Sequence, residues 1–184
     1  MKRFMAWLAT AATLTFTFPA VADQTVPQLD SLFERLRVTP DAAEAAEIEG
    51  QIWRLWTVTG NPIVDRFVAL GLEAMAAEDY GSALTVFDEV VKMVPDYAEG
   101  YNKRATIHYL TGDLDASEAD IAETLKREPR HFGALSGLGL VNLARGREAD
   151  ALAAFDRALA VHPHLPGANT HIRALREKLK GRGI

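Results

Sequence analysis

The feature that most constrains the fold of this chain is a 34-residue repeat, which occurs three times without a gap from Val64 to Leu165. The first copy shows its pattern of large residues, small residues and a closing proline as Phe67, Gly71, Ala83, Phe87 and Pro95. The later copies begin at residues 98 and 132. A period of this length, with two helical segments in each copy, is typical of a solenoid of stacked helical hairpins.

The recurring small residues explain how the two helices of each copy pack together. They are Gly71, Ala105 and Gly139 on the first helix, and Ala83, Ser117 and Ala151 on the second. Two helices approach closely where small residues leave room for side chains of the other helix. The large residues that fill the remaining space are Phe67, Tyr101 and Leu135 with Phe87, Ile121 and Phe155.

Hydrophobic periodicity predicts helices throughout the chain after its first residues, and no stretch shows the alternation of a strand. The expected helices span residues 29–38, 40–58, 62–77, 80–94, 97–110, 113–127, 130–144, 147–161 and 166–180. We expect Thr39 to cap the second helix and Pro40 to occupy its first position.

The first two helices match the repeat poorly, so we interpret them as an irregular hairpin that covers the first repeat. We expect its two tryptophans, Trp53 and Trp56, to lie over the helix that carries Phe67. An exposed aromatic platform for a ligand is the alternative role of these tryptophans.

The repeat resembles the tetratricopeptide repeat family, in which a leucine-glycine pair, alanines, an aromatic residue and a proline recur at fixed places. The first copy matches through Leu70-Gly71 and the third through Leu138-Gly139, whereas the second has Arg104-Ala105. The chain also resembles short secreted members of this family from alphaproteobacteria. This resemblance implies an all-α, right-handed solenoid of three helical-hairpin repeats with an irregular N-terminal hairpin and a C-terminal capping helix.

Resemblance to the family also implies that the concave face, formed by the first helix of each repeat, binds an extended peptide or a helix of a partner. The residues placed there are Asp65, Val68, Leu72, Met75, Glu99, Asn102, Lys103, Thr106, Tyr109, Gly133, Ser136, Leu140 and Leu143. Asn102 is the strongest candidate, because its amide offers both a donor and an acceptor to a peptide backbone. A solvated surface without a dedicated ligand is the alternative.

Members of the family that bind chaperone tails use several Lys, Arg and Asn side chains on successive helices, so resemblance to them would imply the same residues here. Here Lys103 could meet a carboxylate, but the third repeat has Ser136 and Gly137 at the equivalent positions. We therefore expect that such a clamp for an acidic tail is not reproduced.

Residues 1–22 have the pattern of a secretory signal peptide. Lys2 and Arg3 precede an apolar run, and Ala20 and Ala22 form a cleavage site before Asp23. This predicts a periplasmic protein without stable membrane insertion after cleavage, and an uncleaved anchor is the alternative. The expected segments are then a leader and hairpin cover (23–63), repeats at 64–97, 98–131 and 132–165, and a capping helix (166–184).

The charge of the chain argues against binding to nucleic acid. The net charge is −5, and removal of Lys2 and Arg3 leaves 18 basic against 25 acidic residues, a net charge of −7. The last segment is basic, with Arg173, Arg176, Lys178, Lys180 and Arg182 against Glu177. These cations either contact an anionic partner or simply lie at the negative end of the last helix.

The sequence carries no sign of metal, cofactor or catalytic chemistry. It has no cysteine, which excludes disulfides, thiolate ligands and a cysteine nucleophile. His162, His164 and His171 lack the spacing of a zinc site, and no nucleotide-binding or nucleophile motif is present. We expect His108 to be a packing residue and His131 to reach the rim of the groove.

The leading functional hypothesis is a non-catalytic adaptor or scaffold in the periplasm, which binds a protein or peptide and is a monomer or a weak homo-oligomer. A module that self-associates through the Trp53/Trp56 hairpin or the C-terminal helix is the alternative. A small periplasmic enzyme is a third and less favoured one.

Overall fold

The computed structural model describes residues 27–181, and this part of the chain consists of nine α-helices without strands. The helices are α1 (Pro27–Val38), α2 (Ala42–Thr57), α3 (Pro62–Ala76), α4 (Tyr80–Met93), α5 (Ala98–Thr111), α6 (Leu114–Arg127), α7 (Phe132–Ala144), α8 (Glu148–Val161) and α9 (Ala168–Lys180). The predicted signal peptide and its cleavage site lie outside the described residues. No helix within them is both long and apolar enough to cross a membrane.

The helices begin and end within two residues of the predicted positions. The prediction for the start of α2 was wrong in detail. Asp41 is its N-cap and accepts a hydrogen bond from the Ala43 backbone N–H, so Pro40 precedes the helix. The Thr39 hydroxyl instead donates to the carboxylate of Glu44, which lies in the first turn of α2.

Three hairpins, α3–α4, α5–α6 and α7–α8, are the three copies of the repeat, and each pairs its two helices closely. The turn inside each hairpin contains one residue with positive φ: Glu78 at 57°, Gly112 at 85° and Gly146 at 71°. Glycine adopts this conformation without steric cost, whereas a glutamate does not. The first hairpin is therefore closed by the least favourable of the three turns.

The predicted close approach of the two helices is confirmed in the first and third repeats. A Cβ atom added to Gly71 would lie 2.6 Å from the Phe87 ring, and one added to Gly139 would lie 2.6 Å from the Phe155 ring. In the second repeat, the Ser117 hydroxyl donates to the Ala105 carbonyl oxygen at 2.8 Å. The small residues of the repeat therefore make room for a buried ring or a direct helix-to-helix hydrogen bond.

The N-terminal hairpin does not cover the first repeat, so its predicted position was wrong. The Trp56 ring stacks on the His131 ring with centroids 4.0 Å apart, and the Trp53 ring meets the Phe132 ring edge-on at 5.4 Å. Leu29, Leu32, Leu36, Ile48 and Ile52 join Leu135 and Phe155 in one apolar core. Helices α1 and α2 therefore pack on the third repeat.

A difference between the three copies explains this choice of repeat. Gly133 leaves the space that Trp53 occupies, since a Cβ atom there would lie 2.8 Å from Trp53 Cη2. The equivalent residues of the other copies are Asp65 and Glu99, whose side chains would fill that space. Only the third copy can accept the indole so closely.

Polar contacts fasten the hairpin to the same end of the solenoid. His164 Nε2 lies 3.0 Å from the Thr39 carbonyl oxygen, and Arg130 forms an ion pair with Asp30 at 2.7 Å. The last helix, α9, then covers α8 through Ala168, Ile172 and Leu175.

We expect Gly139→Ala and Gly137→Ala to have opposite effects on stability. The first places a methyl group against the Phe155 ring and should lower the free energy of unfolding by about 1–3 kcal/mol. The second meets its nearest neighbour, Ile121 Cδ1, at an ordinary 3.6 Å. It should raise the free energy by up to about 1 kcal/mol through the helix propensity of alanine. Urea unfolding of both variants checks this, and equal destabilisation by the two would contradict it.

Candidate functional site

A cavity of about 240 Å³ opens between α2, α5, α6 and α7. Asn102, Thr106 and Tyr109 line it from α5, and Gly133, Ser136, Gly137 and Leu140 line it from α7. Helix α2 contributes Glu49 and Trp53 as a further wall. The cavity is therefore the part of the groove between the first helices of repeats two and three that the N-terminal hairpin leaves open.

Six of the residues predicted for the concave face line this cavity together, namely Asn102, Thr106, Tyr109, Gly133, Ser136 and Leu140. The glycines at 133 and 137 provide the space between them, because neither adds a side chain to α7. The sequence analysis did not identify Glu49, and it gave Trp53 a ligand contact only as an alternative, since both residues come from a hairpin that was expected elsewhere.

The structure places the other predicted residues away from the cavity. Val68 is buried and Leu72 and Met75 are half-buried in the core between α3 and α4. Asp65 accepts hydrogen bonds from the backbone N–H and the hydroxyl of Thr59 at 2.7 Å, so it holds the turn before α3. Leu143 lies beneath α9, beside His171. None of these five side chains lines the cavity.

Glu99 and Lys103 belong to a buried network beside the cavity. The Glu99 carboxylate accepts hydrogen bonds from His131 Nε2 and Asn102 Nδ2, each at 2.9 Å, and lies 2.8 Å from Lys103 Nζ. The Lys103 ammonium group also lies over the Trp53 ring, 5.1 Å from its centroid. The network therefore links α5 to α7 and to the N-terminal hairpin. It also neutralises Lys103, the cation that was predicted to meet a carboxylate of a ligand.

His131 is an internal connector rather than a residue of the groove rim, contrary to the prediction. It is fully buried, and its Nδ1 accepts the Ala134 backbone N–H at 3.1 Å as the N-cap of α7. Since Nδ1 is an acceptor, the ring hydrogen lies on Nε2, which donates to Glu99. The sequence did contain a signal for this N-cap role, because a histidine directly before a helix can cap it.

The surroundings of Glu99 lower its pKa. Burial alone would raise the pKa of this carboxyl group, but the hydrogen bond from His131 and the charge of Lys103 together outweigh that effect. Glu99 is therefore held as a carboxylate in the interior.

A second carboxylate, Glu49, lines the cavity directly. It accepts a hydrogen bond from Trp53 Nε1 at 3.1 Å, and its other oxygen lies 3.1 Å from His162 Nε2. His162 is buried and its Nδ1 has no partner, which favours the tautomer with the hydrogen on Nε2. The position of Glu49 is therefore set by two donors from different parts of the chain.

The polar side chains near the cavity do not form a metal site. Within residues 27–181, no group of three His, Asp or Glu side chains comes together as ligands would. His108, half-buried and 3.8 Å from Asp120, packs between α5 and α6 as expected. What the arrangement offers is an apolar space with a few fixed hydrogen-bonding groups.

We expect Glu99→Gln to lower the free energy of unfolding at pH 7 by about 1–3 kcal/mol, because the network loses its anion. The wild-type pKa lies below the ordinary value of 4.5, so the contribution of Glu99 is complete above that pH. It is lost as the pH falls through the lowered value. The difference between variant and wild type should therefore shrink as the pH falls below 4.5.

Urea unfolding between pH 3 and pH 7 measures this difference. Glu47→Gln is the matched control, since the Glu47 side chain is exposed and has no partner among the described residues. A Glu99→Gln difference that is independent of pH would contradict the assignment.

Comparison with known proteins agrees with the hairpin architecture. A family model described as "Tetratricopeptide repeat" matches residues 68–123 and 111–166. A TPR repeat-containing protein of Rhizobium etli is 34% identical over 154 residues, which are 84% of this chain and 76% of that protein.

Two solved structures share the fold at low sequence identity. The first TPR of Spaghetti, bound to an HSP90 peptide, is similar over 64% of this chain and 93% of its own, with a TM-score of 0.61 and 16% identity. The type III secretion chaperone SycD of Yersinia enterocolitica, in complex with a peptide of the translocator YopD, is similar over 64% and 95%, with a TM-score of 0.61 and 12% identity. With its three hairpins in a right-handed solenoid, the chain belongs to the tetratricopeptide repeat family.

Proposed function

We propose that this protein is a non-catalytic interaction module, which binds a peptide segment of a partner protein in the cavity between α5 and α7. The observation that carries the proposal is the cavity itself, an apolar space bordered by an amide and two hydroxyl groups on the first helices of two neighbouring repeats. The solved structures of similar fold that hold an HSP90 peptide or a YopD peptide support a peptide as the ligand.

The size of the cavity indicates what part of a partner it would hold. Pockets for complete small molecules usually measure about 300–1,000 Å³, and this one is smaller. It suits one anchoring side chain of a peptide whose backbone runs across the opening. Leu140, Ile121 and Phe132 make the interior apolar, so the anchor is apolar as well.

Hydrogen bonds to the peptide backbone would come from the rim of the cavity. Asn102 Nδ2 already donates to Glu99, which leaves its carbonyl oxygen Oδ1 as an acceptor for a peptide N–H. Thr106, whose hydroxyl donates to the Asn102 backbone carbonyl oxygen, offers a further acceptor, and Ser136 adds a hydroxyl group on the facing helix. Such contacts hold a backbone regardless of its sequence, and the buried anchor would supply the specificity.

The charges near the cavity argue against an acidic tail as the ligand. Lys103 is paired with Glu99, and Glu49 places a carboxylate in the wall. An anionic peptide terminus would meet Glu49 without a free cation to offset the repulsion. This differs from the binding of acidic chaperone tails and agrees with the absence of a clamp at Ser136 and Gly137.

We also propose that the module acts in the periplasm. The proposal rests on the signal-peptide pattern of residues 1–22 and on the cleavage site predicted before Asp23. The partner would then be another protein of the bacterial envelope.

Site-specific photocrosslinking tests the groove as the binding site. A benzophenone amino acid at Thr106, which lies at the cavity, should yield a partner adduct that is absent with the same group at Ala122, an exposed residue of α6. Gly137→Leu should abolish the adduct by filling the cavity. Its Cβ would lie at an ordinary 3.6 Å from Ile121 Cδ1, and circular dichroism verifies that the helices are intact.

Gly81→Leu is the matched control, since it makes the same substitution at an exposed position of α4. It should leave the adduct unchanged. An adduct that persists in Gly137→Leu, or that forms equally from Ala122, would place the binding surface elsewhere.

Fractionation of cells that produce the protein tests its location. The mature protein should appear in the periplasmic fraction and should begin at Asp23 when its N-terminus is sequenced. Recovery of a cytoplasmic protein that begins at Met1 would exclude the proposed secretion. Replacement of Lys2 and Arg3 by glutamate should slow export, because the positive start of the signal is lost.

A further inference from the structure

The first repeat carries an exposed apolar surface that the rest of the described chain leaves uncovered. Ile63 is 65% exposed, Leu70 38% and Met93 39%. Phe67 and Val86 are half-buried between them. We call these five residues of α3 and α4 the first-repeat face.

In the second repeat, Tyr97 at the position of Ile63 is buried, and the other four positions carry polar side chains that contact one another. Arg104, at the position of Leu70, binds Asp120, at the position of Val86, through two hydrogen bonds of 2.6 and 2.7 Å. Arg127, at the position of Met93, lies over the Tyr101 ring at 4.1 Å. This surface can face water without cost.

In the third repeat, four of the five equivalent positions are apolar and at least partly buried, and the position of Ile63 is occupied by the buried His131. Leu135 and Ala154 are buried, and Val161 packs against the core that contains Phe33 of α1. The surface is therefore apolar in two repeats. It is covered in the third repeat and left open in the first. An open apolar surface of this kind marks an interaction site.

The spacing of apolar residues along α3 indicates that the first-repeat face binds a helix. Ile63, Phe67, Leu70 and Ala74 follow one another at intervals of four, three and four residues. This is the spacing of a seam between two helices that pack side by side.

Two charged residues on one flank of this seam identify which helix would fit. Arg66 and Glu73 lie seven residues apart, so they occupy the same flank two turns from each other. Both are exposed and have no partner among the described residues. When two copies of such a helix pack antiparallel about a twofold axis, Arg66 of each faces Glu73 of the other.

We propose that the first-repeat face binds a second copy of this chain, with the two α3 helices antiparallel. The twofold arrangement closes on itself and forms two identical ion pairs over an apolar seam. The earlier candidate surface, the Trp53/Trp56 hairpin, is unavailable because Trp56 is fully buried. A head-to-tail arrangement is also disfavoured, since α9 covers the other end of the repeats.

Sedimentation equilibrium of the purified protein at low salt tests the proposal. The wild type should be a dimer at micromolar concentration. Arg66→Glu and Glu73→Arg should each raise the dissociation constant about tenfold or more, because each creates two like-charge contacts. The double variant Arg66→Glu/Glu73→Arg should return to the wild-type value, since it restores both ion pairs with reversed sign.

Leu70→Arg should abolish dimerisation, whereas Leu110→Arg is the matched control at an exposed leucine outside the face, 51% exposed. Circular dichroism of each variant verifies that the helices are intact. A monomer at all concentrations, or a double variant no better than the single ones, would overturn the proposal.

The test is independent of the proposed peptide site. Gly137 lies in the cavity between α5 and α7, which none of the five face residues lines. Gly137→Leu should therefore leave the dimer unchanged, and a failure of one proposal does not entail failure of the other.

Discussion

The buried contact between Glu99 and His131 is the interaction on which the arrangement of the molecule depends. It joins the first helices of repeats two and three at 2.9 Å, and the Trp56 ring lies flat on the imidazole from the other side. Because Nδ1 of the same ring caps α7, the histidine is fixed from three directions. This polar pair thus sets the spacing of two repeats and the position where the N-terminal hairpin packs.

The position of that hairpin determines what kind of ligand the groove can bind. A hairpin stacked on the first repeat would leave the first helices of all three repeats open as one long surface. Here α2 passes beside α5 and α7, so Trp53 and Glu49 form a wall and a small cavity remains. A single anchored side chain therefore suits this groove better than a long bound segment does.

The three repeats share their internal packing but differ on their outer surfaces. Each encloses a ring or a hydroxyl group against a small residue, because the close crossing of the two helices requires it. Their outer surfaces follow no such requirement, and they are apolar and open in the first copy, polar in the second, and apolar and covered in the third. The residues that the three repeats share thus maintain the fold. The residues that differ between them form the surfaces available for binding.

The sequence by itself determined the helices, their pairing into hairpins and the close contacts of Gly71 and Gly139, because these depend on residues less than one period apart. It also indicated Asn102, Thr106, Tyr109, Ser136 and Leu140 as groove residues, since their positions follow from the period. Only the tertiary structure decided where the N-terminal hairpin packs. Glu49 and His162 are 113 residues apart, and the space for Trp53 depends on a missing side chain at Gly133. Local periodicity contains no information on such contacts, because three similar repeats offer three similar surfaces and a single glycine selects among them.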